Sequence, residues 1–177
     1  MERIGLVCRW KPVHLGHAAL LESLCERDAH VTIGIGSSNR RDARNPFSAE
    51  ESASMIRSVL EPRFRNWELM SVPDLGDGPR WRRLVRGLMG PLDLFVTEDP
   101  WVAALLVDDY RVAHPATLVP RERHVAIDGT MVREAIARGS PEWRSLVPAS
   151  VARLLDETGL AERFRSEFGA ETLAGLP

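Results

Sequence analysis

Arg3-Ile4-Gly5-Leu6-Val7-Cys8, followed by Arg9-Trp10-Lys11-Pro12-Val13-His14 and then Leu15-Gly16-His17-Ala18-Ala19-Leu20-Leu21-Glu22-Ser23-Leu24-Cys25, decides the fold. The first six residues are a short apolar run closed by charge and proline, the pattern of a strand buried on both faces. Such a run is ambiguous alone, and the next element resolves it. Over Gly16–Cys25 the apolar residues Ala18, Leu21, Leu24 and Cys25 fall at helical spacing, and His30–Ile35 is again short and rich in β-branched residues. This is a strand, a helix and a strand. The alternation continues with expected helices at Ser48–Leu60, Arg80–Leu88 and Asp99–Asp108, and expected strands at Trp67–Val72, Leu92–Thr97 and Tyr110–Ala113. From Gly129 onward the chain reads as helices broken at Gly139, Pro148 and Gly159, with 169–177 as a frayed tail.

Strands alternating with helices imply the α/β class: a Rossmann-like, doubly wound parallel sheet of about five strands, helices on both faces and a helical C-terminus. Ligands in such sheets bind outside the carboxyl ends of the strands where strand order reverses, which directs attention to the turn after the first strand. At 177 residues, 44% apolar and 27% charged, the chain is expected to form one domain over 1–168 without disulfide or metal support. No apolar stretch reaches the ~20 residues of a membrane span and no signal-peptide layout opens the chain, so a cytoplasmic protein with no membrane partner is expected. Cys8 and Cys25 lack metal-ligand spacing and read as reduced core thiols. A net charge of -2 provides no general field for a nucleic-acid backbone, so phosphate recognition must come from a local cluster. Among 23 basic residues the sole lysine is Lys11, inside the turn in question.

That turn ends in His14-Leu15-Gly16-His17 at a helix start. Two imidazoles three residues apart can project to one side, Gly16 lets a ligand approach the backbone, and the helix N-terminus offers free N–H groups. Together they suit the negative charge of a triphosphate, with His14 and His17 donating hydrogen bonds as charge develops. Zinc ligation or surface coincidence would produce the same spacing; the position after a buried strand favours the phosphate reading. A second motif, Ile127-Asp128-Gly129-Thr130-Met131-Val132-Arg133, sets Thr130 and Arg133 on one face of another helix start, where N–H groups, hydroxyl and guanidinium can grip a phosphate. Its ordinary alternative is an Asp128 or Thr130 cap before an exposed helix.

Taken together, the two motifs resemble those of the HxGH nucleotidylyltransferase superfamily. Gly34-Ile35-Gly36-Ser37-Ser38, Asn45-Pro46-Phe47-Ser48-Ala49, Val72-Pro73-Asp74, Trp81 and Trp143-Arg144-Ser145-Leu146-Val147-Pro148 narrow the likeness to the archaeal-type nicotinamide mononucleotide (NMN) adenylyltransferases, in the same order from Gly5 to about Val151. The resemblance implies an enzyme that transfers AMP from ATP to NMN, releasing pyrophosphate and forming NAD. It implies that His14, His17 and Arg9 contact ATP phosphates and that Thr130 and Arg133 hold the departing pyrophosphate. Gly16, Gly36, Ser37, Asp128 and Gly129 fall in the nucleotide cleft by the same matching, and Trp81, Asp74 and Asn45 at the acceptor pocket, with Trp81 stacking on the nicotinamide ring. Lys11 replaces the family's glutamine and is expected to reach a phosphate. Asp128 replaces a serine, Gly78 an asparagine, and Glu98-Asp99 an asparagine pair.

No carboxylate cage is evident, so magnesium is expected to arrive with ATP and no protein metal site is assigned. The partners are then ATP and a phosphorylated small molecule, with homo-oligomerisation open. A cytidylyltransferase, an adenylyltransferase with another phosphorylated acceptor, and a non-catalytic nucleotide-binding regulator stay as alternatives. A class I aminoacyl-tRNA synthetase does not fit, because the lysine-rich second signature cannot be built from one lysine. Gly34-Ile35-Gly36 is only part of a dinucleotide fingerprint and reads as a turn lining the cleft. Arg40, Arg41 and Arg44 read as a loop that is either solvated or placed over phosphates. Trp10, Trp67, Trp101 and Trp143 read as packing residues.

Overall fold

The computed structural model describes residues 1–175. Five strands, β1 (Glu2–Cys8), β2 (Ala29–Gly36), β3 (Trp67–Val72), β4 (Leu94–Val96) and β5 (Val112–Ala113), form one sheet in the order β3-β2-β1-β4-β5. All four pairings are parallel, with Ile4 beside both Val31 and Leu94. The strands alternate with α1 (Leu15–Cys25), α2 (Ala49–Leu60), α3 (Gly78–Met89) and α4 (Pro100–Leu106), before α5 (Gly129–Ala137), α6 (Ala149–Glu157) and α7 (Leu160–Ala174). The chain builds β1, β2 and β3 outward in one direction and then returns to place β4 on the other side of β1. The switch point between β1 and β4 is therefore where a ligand cleft opens.

Side-chain alternation divides the core between the two faces of the sheet. Ile4, Leu6, Val31, Ile33, Leu94 and Val96 join the large cluster under α1, α2 and α5–α7, whereas Phe95 joins Val72, Trp81, Val85, Met89, Leu106 and Tyr110 under α3 and α4. On that second face two strand glycines make room for neighbours. A Cβ on Gly5 would lie 2.3 Å from Leu92 Cδ1, and one on Gly34 would lie 2.8 Å from Val7 Cγ2 and 3.0 Å from Met89 Cε.

Short polar residues start the helices. Ser48 and Glu51 form a reciprocal capping box on α2, Asp77 caps α3 and Asp99 caps α4. The shortened β4 and β5 and the later start of α4 lie within a few residues of the expected bounds. The larger difference is at the C-terminus, where 169–175 does not fray: α7 runs to Ala174 and packs across α5. Gly169 is buried at that crossing, where a Cβ would come within 3.8 Å of Ala137 Cα. The expected frayed tail is thus a packed helix as far as Ala174. Residues 176–177 of the expected tail lie outside the described residues.

Candidate active site

The turn after β1 is held by its own side chains. Trp10 and Ser37 adopt left-handed backbone conformations, with φ of 55° and 50°. Trp10 is fully buried and its indole N–H donates to the Gly34 carbonyl at 2.9 Å. Lys11 is 2% exposed, and its Nζ donates to the Ser37 carbonyl at 2.8 Å. Burial depresses its pKa, against the pull of Asp42 and Asp74. That bond to Ser37 ties the β1 turn to the β2 turn, and Lys11 also lines the cleft.

His14 caps α1. Its Nδ1 accepts from the His17 backbone N–H at 3.3 Å, and its ring stacks on that of His17 with centroids 3.7 Å apart. Burial, outweighing Asp128, lowers its pKa to about 4. Near pH 7 His14 is consequently a neutral imidazole that accepts at Nδ1 and carries its proton on Nε2, a hydrogen-bond donor without charge. His17 sits between His14 and Trp10, whose ring centroid is 4.6 Å away. Burial and then the adjacent His14 hold its pKa well below the ordinary histidine value, despite the nearby Pro12 carbonyl. Its Nδ1 is buried and makes no hydrogen bond of normal geometry. Gly16 lies close under the ring: a Cβ there would lie 3.2 Å from His14 Nδ1 and 3.4 Å from the Ile127 carbonyl oxygen. Leu15 N–H is bound to the Leu146 carbonyl and His17 N–H to His14, so among the described residues Gly16 N–H is the open donor of that first turn.

The second motif meets the first across the cleft. Arg133 is buried, donating from one terminal nitrogen to the Lys11 carbonyl at 3.0 Å and from the other to Thr130 Oγ1 at 3.2 Å. Burial and then the Arg9 and Arg44 guanidiniums bring its pKa down to about 10. Gly129 makes room for that guanidinium, since a Cβ would lie 2.8 Å from its nearer terminal nitrogen. Asp128 accepts from the Met131 N–H at 2.9 Å, so its carboxylate caps α5 and leaves the Gly129 and Thr130 N–H groups open. Arg9 and Arg44 line the cleft, and among the described residues their side chains have no ion pair or hydrogen bond. Three guanidiniums converging with so little compensation mark a place for a polyanion.

The cleft, about 1090 Å³, runs from this cationic end to another lined by Asp74, Asp77, Gly78, Trp81, Glu98, Asp99 and Trp101. Gly36 and Ser37 also line it. No family model matches the chain. The chain is 29% identical over 167 residues to the nicotinamide-nucleotide adenylyltransferase of Methanolobus tindarius, covering 94% of each chain. With its counterpart in Ignicoccus hospitalis it shares 33% over 162 residues, covering 89% of this chain and 92% of the relative. This chain belongs to the nicotinamide-nucleotide adenylyltransferase family.

In fold, the chain resembles a bifunctional NMN adenylyltransferase/ADP-ribose pyrophosphatase from Francisella tularensis, crystallised with AMP and a manganese ion, with a TM-score of 0.69 at 16% identity. The match covers 96% of this chain and 54% of the longer protein, so the chain spans about half of that relative's length.

Within the adenylyltransferase, His14, His17, Arg9, Thr130 and Arg133 come together, joined by Gly16, Gly129 and Asp128. Asn45 stands apart. Its amide donates to both carboxylate oxygens of Asp42, at 3.0 and 3.2 Å, closing its own loop rather than lining the cleft. Asp74 lines the cleft, pairs with Arg40 at 3.4 Å and exchanges two hydrogen bonds with Asn39. Trp101 corrects the expectation of packing, being 57% exposed on the cleft. Sequence reading also missed His114 and His124 as cleft-lining residues, because they arrive on an irregular connection with no periodicity of its own.

Proposed function

We propose that this chain transfers AMP from ATP to NMN, forming NAD and releasing pyrophosphate. The observation that carries the reading is the stacked, neutral His14–His17 pair facing Arg9, Arg44 and Arg133 at the β1/β4 switch point. Family membership supports the same chemistry.

An acceptor phosphate oxygen attacks the α-phosphorus of ATP; the bond from that phosphorus to the bridging oxygen breaks, and the electron pair leaves on pyrophosphate. The acceptor phosphate is already ionised at neutral pH, so no general base is needed. Catalysis consists of in-line positioning and stabilisation of charge moving onto the leaving group. His14 donates through Nε2–H, Gly16, Gly129 and Thr130 offer backbone N–H groups, and the remaining N–H bonds of Arg133 face phosphate oxygens. Keeping the histidines neutral leaves each with one ring N–H to donate, a proton that is not lost at neutral pH. Magnesium carried with the triphosphate would supply further charge neutralisation there, and Asp128 keeps one carboxylate oxygen on the Met131 N–H as a cap.

The direct assay offers the protein each nucleoside triphosphate with a panel of phosphorylated acceptors, reading pyrophosphate release and product mass. ATP with NMN is expected to yield the mass of NAD. A product formed only from CTP, only from another acceptor, or from none would overturn the proposal.

A further inference from the structure

Resting on the acceptor reading above, we infer that Trp101 is the exposed platform for the acceptor's planar ring and that Glu98 biases this platform toward a cationic ring carrying no carboxylate. Two tryptophans stand at the acceptor end of the cleft, and they differ in what they offer. Trp81 is 9% exposed and belongs to the core under α3 and α4, with Val85, Met89, Phe95, Leu106 and Tyr110. Trp101, in the first turn of α4, is 57% exposed. Their ring centroids are 6.4 Å apart with the planes at 41°, so the indoles touch and leave no slot for a third ring. They form an open corner instead, in which a ring lies on Trp101 and meets what remains accessible of Trp81.

The position of Trp101 is built into the backbone. Asp99 Oδ1 accepts from its N–H at 2.8 Å, fixing the start of α4. Gly78 allows the indole to lean across the start of α3: a Cβ there would lie 3.1 Å from Trp101 Cζ2 and 3.2 Å from Leu105 Cδ2. The absence of a side chain at residue 78 and the presence of an indole at residue 101 are therefore one arrangement.

Charge completes the chemistry. Asp77 and Asp99 are engaged as helix caps and Asp74 is paired with Arg40. Among the described residues Glu98 has no ion pair or side-chain hydrogen bond, and it lines the same end of the cleft. Its field reaches Cys8 at the end of β1, where burial and then Glu98 raise the thiol pKa to about 12, outweighing Arg9. An indole face and an unpaired carboxylate both favour a pyridinium whose substituent is a neutral amide over one whose substituent is a carboxylate.

Steady-state kinetics with NMN and with nicotinic acid mononucleotide test this on wild type, Trp101→Leu, Trp101→Phe and Glu98→Gln, each checked by thermal melting. Wild type is expected to prefer NMN. Trp101→Leu should raise the KM for NMN about fivefold to tenfold, leaving the KM for ATP and the melting temperature unchanged, and Trp101→Phe should recover most of the loss. Glu98→Gln should narrow the preference between the two acceptors. An unchanged acceptor KM in Trp101→Leu, or equal use of the two acceptors by wild type, would overturn the inference while leaving AMP transfer standing. Failure of wild type to use NMN at all would overturn both.

Discussion

His14 shows how a single residue carries structure and chemistry together. Its Nδ1 is used to cap α1, which commits the ring to a tautomer with its proton on Nε2, and burial keeps that ring neutral. Removing such a donor costs roughly two to three orders of magnitude in turnover, so His14→Ala and His17→Ala are both expected to lose that much. Turnover near wild type in both variants would dismiss the cradle. The same burial sets a pH dependence. With a folded pKa of about 4 against an ordinary 6.5, the unfolded chain binds the proton more readily, so stability falls as pH drops from 6.5 toward 4. Denaturant unfolding across that window should show a loss on the order of 2–3 kcal/mol from His14, absent in His14→Gln. Lys11 is buried in the same turn, and one of its three ammonium N–H bonds goes to the Ser37 carbonyl. Lys11→Met should therefore lower stability by about 1 kcal/mol through loss of that bond, the Ser37 carbonyl keeping the Arg40 N–H as a donor, read by thermal melting. Loss of ATP affinity with full stability would restore the phosphate role.

At the scale of elements, α5 joins packing to binding. Asp128 caps its first turn, and the same turn aims Arg133 at the Lys11 carbonyl. Asp128→Asn keeps a capping acceptor and removes a negative charge, so it should leave melting unchanged and tighten ATP binding. Asp128→Ala should cost about 1 kcal/mol and weaken binding. Weaker ATP binding in the Asn variant would show that the carboxylate contributes more than a cap. The strand–helix alternation was legible because buried parallel strands read as continuous apolar runs, and the helices between them carry their own period. The end of α7 was illegible for a physical reason. Its composition is that of a polar tail, and only the packing of α7 against α5 orders it. Trp101 escaped in the same way, since an aromatic on a helix start gives no sign of whether a neighbour will cover it.

Across the whole molecule, the sheet order is what makes two distant motifs one site. Residues 9–17 and 128–133 meet because β1 lies at the point where the winding reverses and the helices after β5 fold back over that end. The phosphate end was accessible from sequence because it consists of residues clustered in two short motifs. The acceptor end draws single residues from several connections, and there Asn45 fell outside the cleft and Trp101 came into it. The proposed reaction breaks the bond between the α-phosphorus and the bridging oxygen and passes AMP to NMN. ATP carrying radioactive phosphorus at the α-position, incubated with NMN, tests it directly when products are separated for wild type and for the His14→Ala and His17→Ala variants. Label is expected in a dinucleotide with the mobility of NAD, formed at least a hundredfold more slowly by the variants. Label recovered only in free AMP, or in dinucleotide formed equally fast by all three proteins, would contradict it.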